Sequence, residues 1–444
     1  MSCLEAGASI YFHDFHKAIA NSTSGRLNII MHITRRENIS LLISALGTAG
    51  LTACAAPKTS SLKSTTQALS LNPLGGAGLI VVKDGKTVLE HVEGFASGLD
   101  KSETAAKRPF TADSPFRVAS MSKVVVVLTA RTMAKQKVLS LDEDISGALG
   151  ITLRHPKYPD EAITLRRLLS HQSGVSDPDV YWTEPAGNIR TLLSDEMFKG
   201  GRPGDWFEYA NINYGIATTY MEAVSGQRLD QLTQTYVLGP LGLDAGFNWA
   251  GVSSAKRQNG ATLYRQVDGD MKIQTDGPED LLGSGPTLYG DDPNFVFETY
   301  KPGTNGTLLS PQGGLRASLN DLLVIAKAVG DDPELHEIIW RHDGKNGAGG
   351  DGHAEGDGHF VSFGPGLYVY PPELSPIPGQ LMVGHHGEAY GLYGGFWHLP
   401  QINAQIVHVV TATPQPPKPY FEGPPAIAPE SRELLDAAMQ ALGL

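Results

Sequence analysis

Two short runs of β-branched and apolar residues, 79–82 and 87–92, lie on either side of the sequence Lys83-Asp-Gly-Lys86. An Asp-Gly pair favours a two-residue turn, because both residues tolerate the positive φ angles that such a turn needs. The pattern therefore predicts a β hairpin at the start of the folded part of the chain.

A longer apolar run begins with four consecutive valines at Val124 and continues through Leu128, Ala130, Met133 and Ala134. Valine favours strands, but this run is too long for a typical strand. We therefore interpret it as a buried helix.

The rest of the chain changes from helical to β character. Helical patterns separated by Gly and Pro loops occupy the middle, and strand-like runs followed by a closing helix occupy the C-terminal part. The predicted helices are 165–170, 319–329 and 430–442; the predicted strands are 366–370, 394–398 and 404–412, the last two joined by a turn at 400–403.

Strands at both ends of the folded part predict one sheet assembled from both ends. The predicted fold class is α/β plus an all-α lobe: an antiparallel sheet built from N- and C-terminal segments and flanked by helices, with an inserted helical domain. The folded domain is expected to cover residues 75–444, with its α/β part at about 75–140 and 359–444 and its helical part at about 141–358.

The N-terminal region is expected to be targeting sequence rather than part of the fold. From Met31 the chain has a short basic stretch, an apolar run at 39–51 and then Leu51-Thr-Ala-Cys54, an order typical of a secretory signal that ends in a lipobox. The apolar run, about 13 residues long, is too short for a comfortable membrane span.

This interpretation predicts an exported, periplasmic protein that contacts the membrane only through a lipid anchor on Cys54. Residues 1–30 would be an upstream extension from a misassigned start, 31–54 the signal peptide, and 55–74, rich in Ser, Thr, Lys and Ala, a flexible linker. A disordered cytoplasmic tail is the alternative.

Composition narrows the classes of function. The chain has 444 residues, of which 41% are hydrophobic and 18% charged, as in ordinary globular proteins. A formal net charge of -12, with no basic cluster in the folded part, argues against a nucleic-acid partner. Both cysteines, Cys3 and Cys54, lie near the N-terminus, so a disulfide framework in the folded part is excluded.

The stretch 342–360 is rich in glycine, histidine and aspartate. Histidine and aspartate can bind metals, but their spacing here matches no defined metal-binding loop. We therefore expect a mobile glycine-rich insertion, and we predict neither a metal nor another cofactor.

The stretch Ser120-Met-Ser-Lys123 precedes the predicted buried helix and places a hydroxyl and an amine three residues apart. On a helix both side chains lie on one face, within reach of each other. A serine becomes a nucleophile when a base takes its proton, and a lysine can be that base when burial lowers its pKa. The same spacing occurs at Ser60-x-x-Lys63 and Ser253-x-x-Lys256, so spacing alone does not select Ser120.

Four further stretches follow Ser120-Met-Ser-Lys123 along the chain. They are Leu168-Leu-Ser-His-Gln-Ser-Gly-Val175, the chain's only Tyr-x-Asn sequence at Tyr209-Ala-Asn211, Gly313-Gly-Leu-Arg-Ala-Ser318 and Gly384-His-His-Gly387. With Ser120-x-x-Lys123, they make the chain from roughly Gly75 to its end resemble the serine β-lactamase and penicillin-binding-protein-like superfamily. The resemblance is to the branch of class C β-lactamases, DD-peptidases and family VIII carboxylesterases.

The resemblance implies an acyl-enzyme mechanism. Ser120 would attack an acyl carbonyl, Lys123 would act as general base, and Tyr209 would pass the proton to the leaving group. Asn211 would orient Lys123 and the substrate carbonyl. The alternative for Tyr209 is a core aromatic, and Tyr214 is the competing tyrosine.

The resemblance also implies an oxyanion hole formed by the backbone N–H groups of Ser120 and Glu388, with Gly387 leaving room for the acyl group. The family usually has Lys-Thr-Gly where this chain has His385-His-Gly387, and histidine is largely neutral near pH 7. His386 would add bulk in place of a small hydroxyl residue. This departure weakens the case for anionic β-lactams and peptidoglycan stems, whereas neutral esters lose little; ordinary strand-end histidines are the alternative.

We therefore expect a carboxylesterase of short acyl esters, with a small-molecule ester or amide as substrate. Two alternatives remain open: a class C-like β-lactamase or D-alanyl-D-alanine carboxypeptidase, which an export signal favours, and a catalytically inactive penicillin-binding-like protein. An α/β-hydrolase is disfavoured, because the chain contains no Gly-x-Ser-x-Gly elbow. The sequence does not predict the oligomeric state.

Overall fold

The computed structural model describes residues 75–274, 297–348, 360–413, 425 and 427–444. Cys54, the predicted signal peptide and linker, and the Ser60-x-x-Lys63 sequence lie outside the described residues, as do residues 349–359 of the glycine-rich stretch.

Strands and helices alternate irregularly along the described chain. The strands are β1 (Ala77–Lys83), β2 (Lys86–Glu93), β3 (Phe95–Ser97), β4 (Arg108–Pro109), β5 (Phe116–Arg117), β6 (Phe207–Glu208), β7 (Tyr264–Val267), β8 (Asp270–Ile273), β9 (Arg316–Ala317), β10 (Trp340–Arg341), β11 (Gly347–Ala348), β12 (Ser362–Phe363), β13 (Tyr368–Tyr370), β14 (Met382–Ala389), β15 (Leu392–Leu399) and β16 (Ala404–Val410). The α-helices are α1 (Ser122–Lys135), α2 (Ser146–Leu149), α3 (Leu165–Leu169), α4 (Ile212–Ser225), α5 (Leu229–Thr233), α6 (Ser254–Arg257), α7 (Leu319–Gly330) and α8 (Pro429–Leu442). Within this described part, no helix is both long enough and apolar enough to cross a membrane.

The predicted sheet assembled from both ends of the fold is confirmed. Within the described residues the largest sheet has eight strands in the order β10-β12-β13-β14-β15-β16-β1-β2. Its neighbouring strands are antiparallel, and the C-terminal strand β16 pairs with the N-terminal strand β1 from Ala77↔Val410 to Lys83↔Ala404. Strands from the two ends of the fold therefore lie side by side in one continuous sheet.

The predicted hairpin is formed by β1 and β2, with Val82 opposite Thr87 across the turn. The two turn residues, Asp84 and Gly85, have φ values of +50° and +72°. These are the left-handed conformations that a two-residue hairpin turn requires, which explains the Asp-Gly sequence.

Helices cover both faces of the sheet, and the alternation of strand side chains assigns each residue to one face. In β16, Val407 and Val409 belong to the core that contains helices α1 and α7, whereas Ile406 and Val410 belong to the core that contains α8. Because β16 is buried on both faces, five of its seven residues are apolar, and its two polar residues, Gln405 and His408, are buried as well.

The valine-rich run forms helix α1, as predicted. Val124 to Val127 are all buried, with exposures of 1% or less. A helix buried on all sides is apolar around its whole circumference, so packing overrides the preference of valine for strands. The helices predicted at 165–170, 319–329 and 430–442 are also confirmed, as α3, α7 and α8.

The stretch expected to be helical, 141–358, also contributes strands. Strand β10 joins the edge of the main sheet, and β7 and β8 form a separate hairpin. At β10 the Trp340 ring stacks on Phe207, with ring centres 4.2 Å apart. A two-residue strand such as β10 is too short to show an alternating pattern of apolar and polar residues. The sequence therefore could not predict that β10 pairs with the main sheet.

We predict that Gly384→Ala destabilises the fold by about 1–3 kcal/mol, because overpacking at a backbone contact forces strands apart. A Cβ at Gly384 would lie 1.9 Å from the Phe396 carbonyl oxygen on the neighbouring strand. Urea unfolding would measure the change in the free energy of unfolding. Gly147→Ala is the matched control, since no atom lies within 4 Å of a Cβ there; equal stability of the two variants would contradict the prediction.

Candidate active site

Ser120 lies in a 3₁₀ turn, Ala119–Met121, that runs directly into helix α1. Ala119 has φ = +52°, in the left-handed region that residues with a Cβ rarely adopt. The Ser122 hydroxyl holds this turn, because it donates to the Ala119 carbonyl at 2.7 Å and accepts from the Leu315 N–H at 3.0 Å. A strained turn that is held by buried hydrogen bonds fixes the position of the Ser120 side chain.

The Gly313–Ser318 stretch lies beside this turn and supports it from the other side. Strand β9 within it pairs with β5, and the Val118 N–H donates to the Leu315 carbonyl at 2.9 Å. The Arg117 side chain donates to the Gly313 carbonyl at 3.2 Å. The stretch thereby anchors the chain on the N-terminal side of Ser120.

Lys123 is fully buried, and its amine lies among three oxygen atoms of the described residues. Nζ is 3.0 Å from Ser120 Oγ, 3.0 Å from Asn211 Oδ1 and 3.0 Å from the Gln312 carbonyl oxygen. The amide and carbonyl oxygens can only accept hydrogen bonds. A neutral amine has two N–H groups and one lone pair, so these two oxygens occupy the N–H groups and the lone pair faces the Ser120 hydroxyl.

The protonation of Lys123 suits this geometry. Burial lowers the pKa of Lys123 to about 7, while the charge of Asp177 acts in the opposite direction. Near neutral pH the amine is therefore partly unprotonated and can accept the proton of Ser120.

Asn211 precedes helix α4 and is held by Asp177. The Asn211 backbone N–H and its side-chain Nδ2 both donate to Asp177 Oδ2, at 2.9 and 3.0 Å, and the Ile212 N–H donates to Oδ1 at 2.8 Å. Burial raises the pKa of Asp177, and these hydrogen bonds oppose the rise. With Nδ2 turned to Asp177, the amide oxygen of Asn211 is turned to Lys123.

The Tyr209 ring lies next to the Ser120–Lys123 pair. Lys123 Nζ sits over it, 4.8 Å from the ring centre. The ring stacks on His171 at 4.2 Å and on Phe360 at 4.9 Å, and it is half-buried. The structure thus brings Tyr209 and Asn211 together with the serine and the lysine.

Tyr214, the competing tyrosine, is a core residue. It is fully buried, and its hydroxyl donates to the Leu169 carbonyl at 3.0 Å. Burial raises the pKa of Tyr214 well above its ordinary value. A hydroxyl that is committed to a backbone carbonyl and cannot readily ionise is a poor proton shuttle, which favours Tyr209 for that role.

At Gly387, strand β14 passes beside the turn Ala119–Met121, called the nucleophile turn because it contains the candidate nucleophile Ser120. A Cβ at Gly387 would lie 2.9 Å from the Val118 carbonyl oxygen and 2.9 Å from Met121 Cε. The close approach of strand and turn therefore requires glycine here, in addition to the room expected for an acyl group. Glu388 follows with its side chain exposed to solvent.

His385 lies on the same face of β14 as Gly387. Its ring is fully buried, 5.1 Å from the Tyr368 ring and 6.3 Å from the Tyr209 ring. Its Nδ1 donates to the His386 carbonyl at 2.6 Å. The position that holds a lysine in the resembled family is thus occupied by a buried imidazole.

The bulk that His386 adds in place of a small hydroxyl residue lies on the face of β14 opposite Gly387. Strand alternation turns its ring to the opposite face, where Nε2 is 3.1 Å from the Tyr370 hydroxyl and the ring packs on Trp397 at 4.6 Å.

The structure separates Ser120 from the similar sequence at Ser253. The Ser253 hydroxyl accepts from the Lys256 backbone N–H at 3.3 Å and caps helix α6, and Lys256 Nζ pairs with the Asp321 carboxylate. The Ser253 hydroxyl is bonded to Asp244 and the Lys256 amine to Asp321, so the two groups are not arranged as Ser120 and Lys123 are.

Three contributors were not identified from the sequence. Ser122 lies inside the Ser120-x-x-Lys123 motif, and Asp177 follows the Leu168–Val175 stretch by two residues, so their positions carried a weak signal. Gln312 acts through its backbone carbonyl, which any residue would supply. No side-chain pattern could have revealed it.

Metal binding finds no support in the part of the chain that the structure describes, where no three His, Cys, Asp or Glu side chains are placed to hold an ion together. Residues 349–359 lie outside that part, so the expected role of the glycine-rich stretch stays a prediction.

Comparisons with known proteins concern the family and the fold. Residues 71–429 match the model of the family described as Beta-lactamase. The D-aminopeptidase of Brucella anthropi is 24% identical over 353 residues, which are 77% of this chain and 57% of that protein. Esterase EstB of Burkholderia gladioli is 26% identical over 294 residues, which are 60% of this chain and 68% of that protein. The chain thus spans little more than half the length of the D-aminopeptidase.

Solved structures show the same fold. The class C beta lactamase from Rhodobacter sphaeroides superposes with a TM-score of 0.58 and 16% identity, over 86% of this chain and 98% of that chain. At this identity the likeness concerns the fold alone. It confirms the predicted antiparallel sheet with flanking helices.

We predict that Ser122→Ala slows covalent labelling of Ser120 by a fluorophosphonate and lowers stability by about 1–3 kcal/mol, because a buried N–H and a buried carbonyl lose their partner. The labelling rate and urea unfolding would be measured together.

Thr129→Val is the matched control for Ser122→Ala, since Thr129 is also buried in helix α1 and its hydroxyl donates to the Val125 carbonyl of the same helix, at 2.7 Å. Labelling rates that are the same in both variants would show that Ser122 does not hold the nucleophile turn.

Proposed function

The chain belongs to the beta-lactamase family of serine hydrolases, and on that basis we propose that it is a carboxylesterase of short acyl esters. The observation that carries the proposal is the buried Lys123 amine, 3.0 Å from the Ser120 hydroxyl, whose other two neighbours can only accept hydrogen bonds. Such an amine is a general base with its lone pair already directed at the nucleophile.

In the proposed acylation, the Ser120 proton passes to Lys123 as Oγ bonds to the ester carbonyl carbon. The backbone N–H groups of Ser120 and Glu388 would hold the resulting oxyanion. The intermediate collapses when the bond from carbon to the alcohol oxygen breaks. A proton delivered through Tyr209 leaves with the alcohol, and the acyl group remains on Ser120.

In the proposed deacylation, a water molecule attacks the acyl carbonyl and gives up its proton to the base. The bond between the carbon and Ser120 Oγ then breaks, and Oγ recovers a proton. The products are a carboxylic acid and the free enzyme, so no cofactor is required for the balance of atoms and charges.

The substrate class follows from His385. In the resembled β-lactamases and DD-peptidases a lysine charge binds the substrate carboxylate, whereas here the position holds a fully buried imidazole, whose Nδ1 is already bonded to a carbonyl. A neutral ester needs no such cation. The similarity to an esterase over 60% of this chain is consistent with this preference.

The second candidate is hydrolysis of an amide or β-lactam by the same serine, as in a class C-like β-lactamase or D-alanyl-D-alanine carboxypeptidase. It is favoured by the match to a D-aminopeptidase along 77% of this chain. A catalytically inactive protein of this fold is the third candidate, and the poised Ser120–Lys123 pair argues against it.

We predict that kcat/KM for p-nitrophenyl butyrate exceeds kcat/KM for nitrocefin, and that Ser120→Ala lowers ester hydrolysis on the order of 10⁴-fold or more, since the nucleophile is lost. Initial rates would be combined with intact-mass detection of the acyl-enzyme.

Ser253→Ala is the matched control, because it removes the serine of the similar sequence and should cost the cap of helix α6 and an exposed hydrogen bond to Asp244, together about 1 kcal/mol of stability. An active Ser120→Ala variant would refute the proposal, and faster turnover of nitrocefin would promote the second candidate.

A further inference from the structure

We propose that Asp177 is a positioning residue: it sets the orientation of the Asn211 amide and thereby leaves the Lys123 lone pair directed at Ser120. This inference rests on the proposed function, because it gives Asp177 a part in the same proton transfer.

Asp177 contacts both the backbone and the side chain at the start of helix α4. Three N–H groups converge on its carboxylate, from the Asn211 backbone, the Asn211 side chain and the Ile212 backbone. Such convergence favours the ionised carboxylate, which accepts hydrogen bonds only. The side chain of Asn211 must therefore present Nδ2 to Asp177.

The loop that contains Asp177 is fastened to the segment that contains Tyr209 and Asn211. Besides the bonds of Asp177, the connections run from the Glu208 N–H to the His171 carbonyl (2.8 Å), from the Ala210 N–H to His171 Nδ1 (3.1 Å) and from the Ser173 hydroxyl to Asn213 Oδ1 (2.7 Å). The loop 171–177 thus hydrogen-bonds to four successive residues, 210–213, and fixes their position.

The orientation of the Asn211 amide decides what the Lys123 amine can do. When the Asn211 amide oxygen points to Lys123, it accepts a hydrogen bond from one N–H of the amine, and the Gln312 carbonyl oxygen accepts one from the other N–H. With the amide reversed, Nδ2 would donate to the lone pair of a neutral amine and compete with the Ser120 hydroxyl for it. Asp177 excludes the reversed orientation, because two acceptors would then face each other.

The charge of Asp177 also acts on Lys123. It raises the pKa of Lys123 against the effect of burial, so its removal should lower that pKa further. Other titratable groups lie around Lys123. They are His171, whose pKa burial lowers well below its ordinary value, and Tyr209 and Tyr214, whose rings lie under the amine; His385 interacts in turn with His171.

The test is Asp177→Asn, with Asp179→Asn as the matched control, since Asp179 is an exposed carboxylate two residues further along the same loop. We expect Asp177→Asn to lower kcat for p-nitrophenyl butyrate on the order of 10²-fold through misplacement of the base, with KM little changed. The acid limb of the kcat/KM profile should also move to lower pH, which a merely structural role would not cause.

A double-mutant cycle tests whether Asp177 acts through Asn211. In an Asn211→Ala background there is no amide to orient, so adding Asp177→Asn should change kcat by less than about threefold. Rates are compared per mole of folded protein, with the folded fraction taken from urea unfolding, because labelling of Ser120 itself depends on the same base. Asp177→Ala, which removes both acceptor oxygens and the charge, should show the same loss and the same shift.

The outcomes separate the two proposals. If the wild-type protein neither hydrolyses the ester nor reacts with the fluorophosphonate, the proposed function fails. If the wild type is active but Asp177→Asn matches Asp179→Asn in kcat and in its acid limb, the positioning role is overturned. If the fold losses in kcat of Asp177→Asn and Asn211→Ala multiply in the double variant, the positioning role is also overturned, because Asp177 would then act independently of Asn211.

Discussion

Burial of the Lys123 amine is the constraint on which the rest of the site depends. An ammonium group loses its hydration when it is buried, and the protein relieves that cost by releasing the proton. The surroundings then decide whether the neutral amine is useful. Two oxygens that can only accept hydrogen bonds hold its N–H groups, and the third neighbour is the hydroxyl of Ser120. Because these partners occupy both N–H groups, the lone pair of the buried amine points at Ser120. This is what makes Lys123 a base for that hydroxyl.

The fold assembles these partners from distant parts of the chain. The nucleophile turn follows the N-terminal strands, Asn211 and Gln312 come from the middle of the sequence, and strand β14 comes from near the C-terminus. At Gly387 the strand approaches the turn so closely that a Cβ would meet the Val118 carbonyl. The sheet that joins both ends of the fold therefore holds β14 beside the turn that contains Ser120.

Local signals made part of this arrangement predictable. Asp84-Gly85 specifies a turn through its backbone conformations, and the run from Val124 specifies a buried helix through its length. The order of the motifs indicated Ser120, Lys123 and Tyr209. The sequence could not show which face of β14 is turned towards Ser120, because that depends on how the strand packs against the turn Ala119–Met121, or that a backbone carbonyl at Gln312 completes the lysine site.

The most direct test is the titration of Lys123 itself, followed by ¹⁵N NMR in protein that carries ¹⁵Nζ-labelled lysine, with the resonance assigned by its loss in Lys123→Met. The structure predicts a midpoint at a pKa of about 7, set by burial. Exposed lysines titrate near their usual value of about 10.4. A midpoint for Lys123 close to that value would mean that the amine is protonated at neutral pH and cannot be the base for Ser120.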